Sequence, residues 1–242
     1  MATYVVGDIH GRLDVLQRLL RKLEPGSSDA VVFLGDYIDR GPDSFGVVDA
    51  LLRFQDGCRG HVHFLMGNHE ASMLRSLDDP RRHTWVTGMQ GLPTIHSYNA
   101  ELGRAFERRM ASYGAALFLG DAELPYRELE RAMPASHRGF FRGLVPFVRT
   151  KDVVCSHAGV SLEYESVESE DLEALIWGVP GWWDAYSGDD VIVYGHWGNG
   201  VDESGTVRPY EINRTYGIDC SSASELMAIR FPGAKVTHGG CE

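Results

Sequence analysis

Short apolar runs rich in valine, isoleucine and aromatic residues recur along the chain, and two of the gaps between them show helical spacing. Leucines at 13, 16, 19, 20 and 23 fall on one face of a helix. Apolar residues at 47, 48, 51 and 52 repeat that spacing after Asp43 and Ser44, which are suited to cap a helix. The apolar runs themselves predict buried strands. They cover residues 4–6, 30–34, 61–65, 153–155 and 191–194.

Strand and helix therefore alternate through the first part of the chain, which is typical of βαβ units in an α/β fold. Residues 78–148 are mainly helical by pattern, with Leu102, Phe106 and Met110 on one helix face, and we interpret them as a cap or flanking region. Two more strand candidates lie around Ile218 and at 226–229. A length of 242 residues favours a single domain that spans residues 1–242.

Composition and charge narrow the class of protein. Hydrophobic residues make up 43% and charged residues 24%, as in ordinary folded proteins. A net charge of -11 argues against a nucleic-acid scaffold, and no apolar run approaches the roughly 20 residues that span a membrane. The first residues lack a signal-peptide pattern, and the four cysteines form no C-x-x-C pair. We expect a cytoplasmic protein without membrane partners.

Polar side chains follow each of the five predicted strands. The carboxyl ends of parallel strands form a crevice where residues distant in sequence converge. Taken singly, each is an ordinary turn residue or a hydrogen-bonded core histidine; together they form a nitrogen and oxygen ligand set suited to Mn, Fe or Zn. A carboxylate has two oxygens, so Asp36 could bridge two cations. The candidate ligands are Asp8, His10, Asp36, Asn68, His157 and His196.

The blocks that carry these residues resemble, in order, the motifs of the phosphoprotein phosphatase family of calcineurin-like metallophosphoesterases. The blocks are GDIHG (7–11), GDYIDRG (35–41), GNHE (67–70), SHAG (156–159) and GH (195–196). The resemblance implies an α/β sandwich of two β-sheets flanked by helices. It also implies two divalent metal ions, Mn first, with Fe, Zn or Ni as alternatives. Asp8, His10 and Asp36 would hold one ion; Asp36, Asn68, His157 and His196 would hold the other.

The same resemblance assigns roles around the phosphate. A hydroxide that bridges the two ions would attack phosphorus in line. His69 resembles the general acid that protonates the leaving group, and Asp39 would pair with its ring. Arg40 offers a planar pair of donors for phosphate oxygens, and Asn68 also reaches the substrate. The residues that follow His69 break an H-E-x-x-H zinc-protease motif, because position 73 is methionine.

One part of the chain departs from the family. An arginine that normally grips the phosphate follows the family tryptophan by two positions, but Val179 stands there after Trp177. No lysine or arginine occurs between Lys151 and Arg208, so Arg214 is the tentative replacement. The segment 163–190 instead carries nine carboxylates and the tryptophans Trp177, Trp182 and Trp183. Solvated acids and core packing are the simplest interpretation; an acidic, base-stacking rim is the alternative.

Three functions follow from these observations. The first is a phosphomonoesterase that resembles serine/threonine protein phosphatases and acts on a phosphorylated protein or small phosphate esters. The second is hydrolysis of diadenosine tetraphosphate or another dinucleoside polyphosphate, which needs the same metals and a pocket for adenine. The third is a metal-binding scaffold without catalysis, which the presence of all nine key residues disfavours. Neither the physiological substrate nor the oligomeric state follows from the sequence.

Overall fold

The computed structural model describes residues 1–119, 122–223 and 225–240. Its strands form two five-stranded sheets, in the orders β10-β9-β1-β2-β3 and β4-β5-β6-β8-β7. The strands are β1 Thr3–Val6, β2 Ala30–Phe33, β3 His61–Phe64, β4 Phe147–Arg149, β5 Val154–Ser156, β6 Ile192–Tyr194, β7 Tyr210–Ile212, β8 Thr215–Gly217, β9 Met227–Phe231 and β10 Lys235–His238. Three neighbouring strands of each sheet run parallel, β1-β2-β3 and β5-β6-β8, and the remaining strands pair antiparallel.

Helices cover the outer sides of the sheets. Five of them, α4 to α8, lie in the region between β3 and β4 that the pattern predicts to be mainly helical. That this region caps or flanks a single domain stays a prediction. The helices are α1 Leu13–Leu20, α2 Ser44–Gly57, α3 Asn68–Asp78, α4 Thr84–Gly88, α5 Leu92–Tyr98, α6 Ala100–Tyr113, α7 Tyr126–Ala132, α8 Ala135–Arg142, α9 Leu172–Trp177 and α10 Trp182–Ala185. None of the helices in these described ranges could cross a membrane.

The two sheets pack face to face over an apolar layer. Val5 and Val32 of the first sheet and Cys155 and Val193 of the second are fully buried in one cluster. A second cluster joins the outer face of the first sheet to α1, α2 and α8, and a third lies under α9 and α10. Because each sheet alternates its side chains between two faces, one face fills the sandwich and the other receives helices. The predicted α/β sandwich is confirmed.

All five predicted strands are present, with ends within one residue of the apolar runs. The predicted burial is wrong for β3, which lies at the edge of its sheet with only Phe64 buried. The tail candidates correspond to β8, which ends just before Ile218, and to β9. The pattern missed β4, β7 and β10, which lie at the edges of the sheets. Their residues are mostly half-buried or exposed, so no apolar run marks them. Pairing with a neighbouring strand forms them, and local composition carries little of that information.

The register of the parallel strands sets up the functional site. Val6 pairs with Phe33, and Phe33 pairs with Phe64, so β1, β2 and β3 end at the same level. Cys155 pairs with Val193 in the other sheet, which aligns the ends of β5 and β6. The polar clusters that follow these five strands therefore come together at one edge of the sandwich.

Candidate metal centre

Asp36 lies at the middle of the site, directly after β2, and its two carboxylate oxygens face different histidines. Its Oδ2 is 3.5 Å from His10 Nε2 and 3.8 Å from His69 Nε2. Its Oδ1 is 3.4 Å from His157 Nε2. Two groups of potential ligand atoms result, each within 4.8 Å: His10, Asp36 and His69, and Asp36, His157 and His196. One carboxylate thus serves both groups, as a bridging ligand would.

Backbone hydrogen bonds aim the imidazoles at this carboxylate. His10 Nδ1 is 3.0 Å from the Ile38 carbonyl oxygen, and His157 Nδ1 is 2.9 Å from that of Leu34. A ring that donates its Nδ1–H in this way presents the Nε2 lone pair to a metal. Burial lowers the pKa of His10 and of His196 to about 4, and it also lowers that of His157. All three rings are therefore neutral at neutral pH, the form that binds cations.

Asn68 and Asp8 test whether the site suits a cation. One polar atom of the Asn68 amide lies 3.1–3.2 Å from His157 Nε2, His196 Nδ1 and both Asp36 oxygens. Asp8 accepts a hydrogen bond from the His196 N–H through Oδ2, while its buried Oδ1 has no protein partner. If this atom is the amide oxygen, it faces four other lone pairs and would be repelled unless a cation lay among them. If it is the amide nitrogen, it can donate hydrogen bonds to them without a cation. The nitrogen and oxygen donors fit divalent ions such as Mn or Fe.

Electrostatics single out Asp36 among the buried acids. Burial acts to raise its pKa, but the surrounding imidazoles of His157, His69, His10 and His196 outweigh burial and lower it. Asp8 shows the opposite: burial raises its pKa, and the carboxylates of Asp219 and Asp36 raise it further. Several acids crowded in a buried site repel one another, and cations would relieve that repulsion.

His69 and Asp39 form the pair that the resemblance implies. His69 Nδ1 is 2.7 Å from Asp39 Oδ2, and both side chains are buried. Burial alone would lower the pKa of His69, but the carboxylates of Asp36 and Asp39 outweigh it and raise the pKa. With Nδ1–H held by Asp39, Nε2 is the atom left to face the cleft. It can donate a proton there, or bind an ion with His10 and Asp36.

Two residues that the sequence analysis did not weigh hold Asp39 in place. Trp85 Nε1 donates to Asp39 Oδ2 at 2.8 Å, and Thr94 Oγ1 donates to Oδ1 at 2.6 Å. Both come from the helical region, on α4 and α5. Thr94 and Ser44 also accept from the Asp39 N–H. These bonds favour the ionised carboxylate and fix the orientation of His69. No motif marks Trp85 or Thr94, because their role depends on contacts across more than 40 residues.

Glu70 is a further residue whose role the sequence did not reveal, although it belongs to the GNHE block. Its Oε2 accepts from the N–H groups of Asp36 and Gly67, and its Oε1 accepts from those of Tyr37 and Ile38. Burial and the nearby Asp36 carboxylate raise its pKa to about 8, although four N–H donors match the carboxylate form. Glu70 thereby ties the start of α3 to the loop that carries Asp36.

Arg40 and Arg214 have different places. Arg40 is exposed, and its Nη2 lies 3.4 Å from His69 Nε2, so it faces the same cleft. Arg214 sits in the β7–β8 turn, where its carbonyl accepts from Ile192 N at the start of β6. The centre lies beyond the other end of β6, at His196. A substrate-binding role for Arg214 stays a prediction, and the placement of its backbone at the opposite end of β6 from His196 speaks against it.

The acidic and tryptophan-rich segment divides into packed and cleft-facing parts. Trp182 is buried and donates from Nε1 to the Ala158 carbonyl, so it packs in the core. The Trp177 ring lies edge to face with the His196 ring, 6.2 Å between centroids. Several of the acids have partners within the protein: Glu168 and Asp190 pair with Arg149, Glu170 accepts from Ser161, and Glu173 pairs with Arg75.

Backbone conformation distinguishes the residues of the centre. His10, Asp36, Asp39, Arg40 and His196 all have φ between 48° and 71°, in the left-handed region. Residues other than glycine, asparagine and aspartate rarely adopt this backbone conformation, and those that do are concentrated at functional sites. Hydrogen bonds also join the loop after β1 to the loop after β2, since the backbone N–H groups of Ile9 and His10 both donate to the Asp36 carbonyl.

Comparisons with known proteins agree with this geometry. The family model described as calcineurin-like phosphoesterase matches residues 1–229. The asymmetrical bis(5'-nucleosyl)-tetraphosphatase PrpE of Bacillus velezensis is 27% identical over 96% of this chain and 90% of its own. The crystal structure of a protein proposed to be a diadenosine tetraphosphatase superposes with a TM-score of 0.65 at 21% identity, covering 98% of this chain and 92% of that one. A cold-active protein-tyrosine phosphatase of a Shewanella species gives 0.58 at 19% identity, over 99% and 80%.

Proposed function

The chain belongs to the calcineurin-like phosphoesterase family and is a metal-dependent phosphoester hydrolase, and from this premise we propose that its substrates are dinucleoside polyphosphates. The proposal reverses the order of the sequence analysis, which placed a phosphomonoesterase first. Support comes from the full-length similarity to a bis(5'-nucleosyl)-tetraphosphatase. It also comes from the acids of 163–190, because those with partners in the protein form a weaker barrier to a polyanion.

The observation that carries the hydrolytic chemistry is the His69 ring, held by Asp39 and facing Asp36. Asp8, His10, Asp36, Asn68, His157 and His196 would hold two divalent ions, with Mn as the first candidate. When bound, such ions neutralise phosphate oxygens and make a water acidic enough to act as nucleophile. His69 Nε2 would donate a proton to the departing phosphate oxygen, and Arg40 would hold the phosphoryl oxygens with two parallel N–H groups.

A substrate comparison tests the proposal. The protein, loaded with Mn²⁺, is given diadenosine tetraphosphate, a phosphoserine peptide and p-nitrophenyl phosphate, and the products are separated by ion-exchange chromatography. We expect the highest kcat/KM for diadenosine tetraphosphate, with nucleotide products that show which bond is cut. The His69→Asn variant, prepared in parallel, reveals contaminating hydrolases. A higher kcat/KM for the phosphopeptide would overturn the substrate assignment.

The second candidate is the phosphomonoesterase of the sequence analysis, which resembles serine/threonine protein phosphatases. The same His69–Asp39 pair and the same ligands would serve it. The exposed carboxylates of 163–190, such as Glu163 and Glu165, favour a basic phosphopeptide over a polyanion. In the substrate comparison, this candidate predicts release of inorganic phosphate from the peptide and little nucleotide from diadenosine tetraphosphate.

A further inference from the structure

A cavity of about 460 Å³ lies between α3, the residues before α4 and Trp177. We call it the arginine pocket, because Arg75, Arg81 and Arg82 line it together with Ser72, Phe118 and Trp177. Its composition is unusual for this protein, which carries a net charge of -11. Three guanidinium groups around one cavity form a local positive field that attracts anions.

The arginine pocket adjoins the metal centre. Trp177 lines the pocket and lies edge to face with His196. Ser72 and Ser76 line it from α3, the helix that begins with Asn68 and His69. A helix rises 1.5 Å per residue, so the pocket starts roughly 6 Å along the axis from Asn68 and continues to roughly 12 Å. An extended polyanion cut at the centre could therefore reach into it.

The arginines are held only by weak ion pairs. Arg75 pairs with Glu173 of α9, while Arg81 and Arg82 share Asp79 at 3.4 and 3.7 Å. These side chains are 40%, 60% and 65% exposed, and exposed ion pairs contribute roughly 0–1 kcal/mol. Three cations face two carboxylates, which leaves one positive charge. Phosphate oxygens bind arginine in a two-pronged geometry and would readily replace these carboxylates.

A second pocket differs from the arginine pocket in its charge. Trp183, Trp197 and Tyr210 line it, so it has aromatic surface for stacking. Its charged residues are mainly acidic, Asp202, Glu203 and Glu211, and its Arg208 already pairs with Asp202 at 2.9 Å. A polyphosphate would meet repulsion there, whereas the arginine pocket offers both cations and the faces of Phe118 and Trp177.

We infer that the arginine pocket binds the distal phosphates and nucleoside of a dinucleoside polyphosphate, while the phosphorus under attack lies at the metal centre. Arg75, Arg81 and Arg82 bind phosphate oxygens; the exposed Phe118 ring and Trp177 contact the base. The inference rests on the proposed function.

Paired kinetics test the arginine pocket. We expect the double variant Arg81→Gln/Arg82→Gln and the single variant Arg75→Gln each to raise KM for diadenosine tetraphosphate about tenfold. A change of this size corresponds to the loss of one or two charge-assisted hydrogen bonds. The kcat/KM for p-nitrophenyl phosphate should stay within about twofold, since one phosphate never reaches the pocket. Arg21→Gln is the matched control: Arg21 is exposed at the end of α1, which runs from the metal edge to the opposite edge of the sheet.

The outcomes separate the inference from the proposed function. A wild-type protein that hydrolyses p-nitrophenyl phosphate but spares diadenosine tetraphosphate contradicts the proposed substrate. Inorganic tripolyphosphate then still probes the pocket: its Kd, measured by calorimetry, should rise about tenfold in Arg81→Gln/Arg82→Gln but not in Arg21→Gln. An unchanged Kd and KM in the arginine variants would overturn the inference, as would an equal loss of activity on both substrates with loss of bound metal.

Discussion

At the scale of single residues, the environment of Asp36 explains why one aspartate can serve two ligand groups. Buried carboxylates ordinarily resist ionisation, yet the pKa of this one is lowered, because the surrounding imidazoles become protonated and positively charged before the carboxylate does as the pH falls. At neutral pH the rings of His10 and His196 are neutral and supply lone pairs. Neutral nitrogen donors around one ionised carboxylate form a site ready for cations before any arrive.

The role of His69 can be separated from ligation by substitution. We expect His69→Asn to lower kcat between about 10²- and 10⁴-fold for a substrate with a poor leaving group, because general acid catalysis supplies about that much. The loss should be smaller for p-nitrophenyl phosphate, whose leaving group needs little protonation. Bound metal, measured by mass spectrometry, should equal that of the wild type and of His238→Asn, an exposed control. A missing ion would show that His69 is a ligand beside His10 and Asp36.

Glu70 can be tested through its four backbone donors. Glutamine presents one oxygen and one NH₂ group, so two buried N–H groups lose their acceptor in Glu70→Gln. Each unsatisfied donor costs about 1–3 kcal/mol, and we expect the free energy of unfolding in urea to fall by about 2–4 kcal/mol. Glu163→Gln, at an exposed loop position, should change it by less than about 0.5 kcal/mol. Equal stability of both variants would remove Glu70 from the support of the Asp36 loop.

At the scale of elements, the centre depends on how closely strand ends and helix starts approach. Gly67 connects β3 to α3 with an ordinary φ of -91°. A Cβ atom there would collide with Asp36 Oδ1 and Glu70 Oε2, so glycine is required for space and not for backbone freedom. The close approach of α3 to the Asp36 loop is thus as important as any side chain.

This junction predicts a sharp difference between two glycines. We expect Gly67→Ala to displace the Asp36 carboxylate, with loss of at least one bound metal and a fall in kcat/KM of about 10² or more. Gly57→Ala is the matched change at the end of α2, where a Cβ would meet nothing within 4 Å. It should leave activity intact and stabilise the protein slightly. Full metal content in Gly67→Ala, read by mass spectrometry, would refute the steric argument.

Some of these structural elements could be predicted from the sequence and others could not. Continuous apolar runs made five of the six parallel strands predictable, and the polar blocks after them placed Asp8, Asp36 and His157 at one edge of the sandwich. The edge strands, the clamp made by Trp85 and Thr94, and the backbone acceptors of Glu70 come from contacts between distant segments. The choice of Arg214 has the same weakness, because its charge is visible in the sequence but its end of the sheet is not.

At the scale of the whole molecule, several acidic side chains are gathered in the centre. Asp8, Asp36, Asp39, Glu70 and Asp219 are all buried there or beside it. A folded protein with clustered buried acids gains stability when cations bind, because the unfolded chain has no assembled site. Metal occupancy and fold stability should therefore change together.

Metal removal tests this coupling. At an ion concentration 100 times Kd, binding contributes about 2.7 kcal/mol, which corresponds to a rise in Tm of about 5–10 °C for a protein of this size. We expect Mn²⁺ to produce such a rise over EDTA in differential scanning calorimetry. Asp36→Asn should show little of it, since the variant weakens both ligand groups. If Mn²⁺ left the Tm of the wild type unchanged, metal binding would not be coupled to the stability of the fold.

The order of the ligands along the chain has a consequence for biosynthesis. Asp8, His10 and Asp36 are all made early, because they follow β1 and β2 of the first sheet. His157 and His196 come much later, with the second sheet. Chains are made from the N-terminus, so a ribosome-bound intermediate could present one group of ligands long before the other exists. The two ions would then be acquired sequentially, and phosphoester hydrolysis could not begin until β6 had joined its sheet.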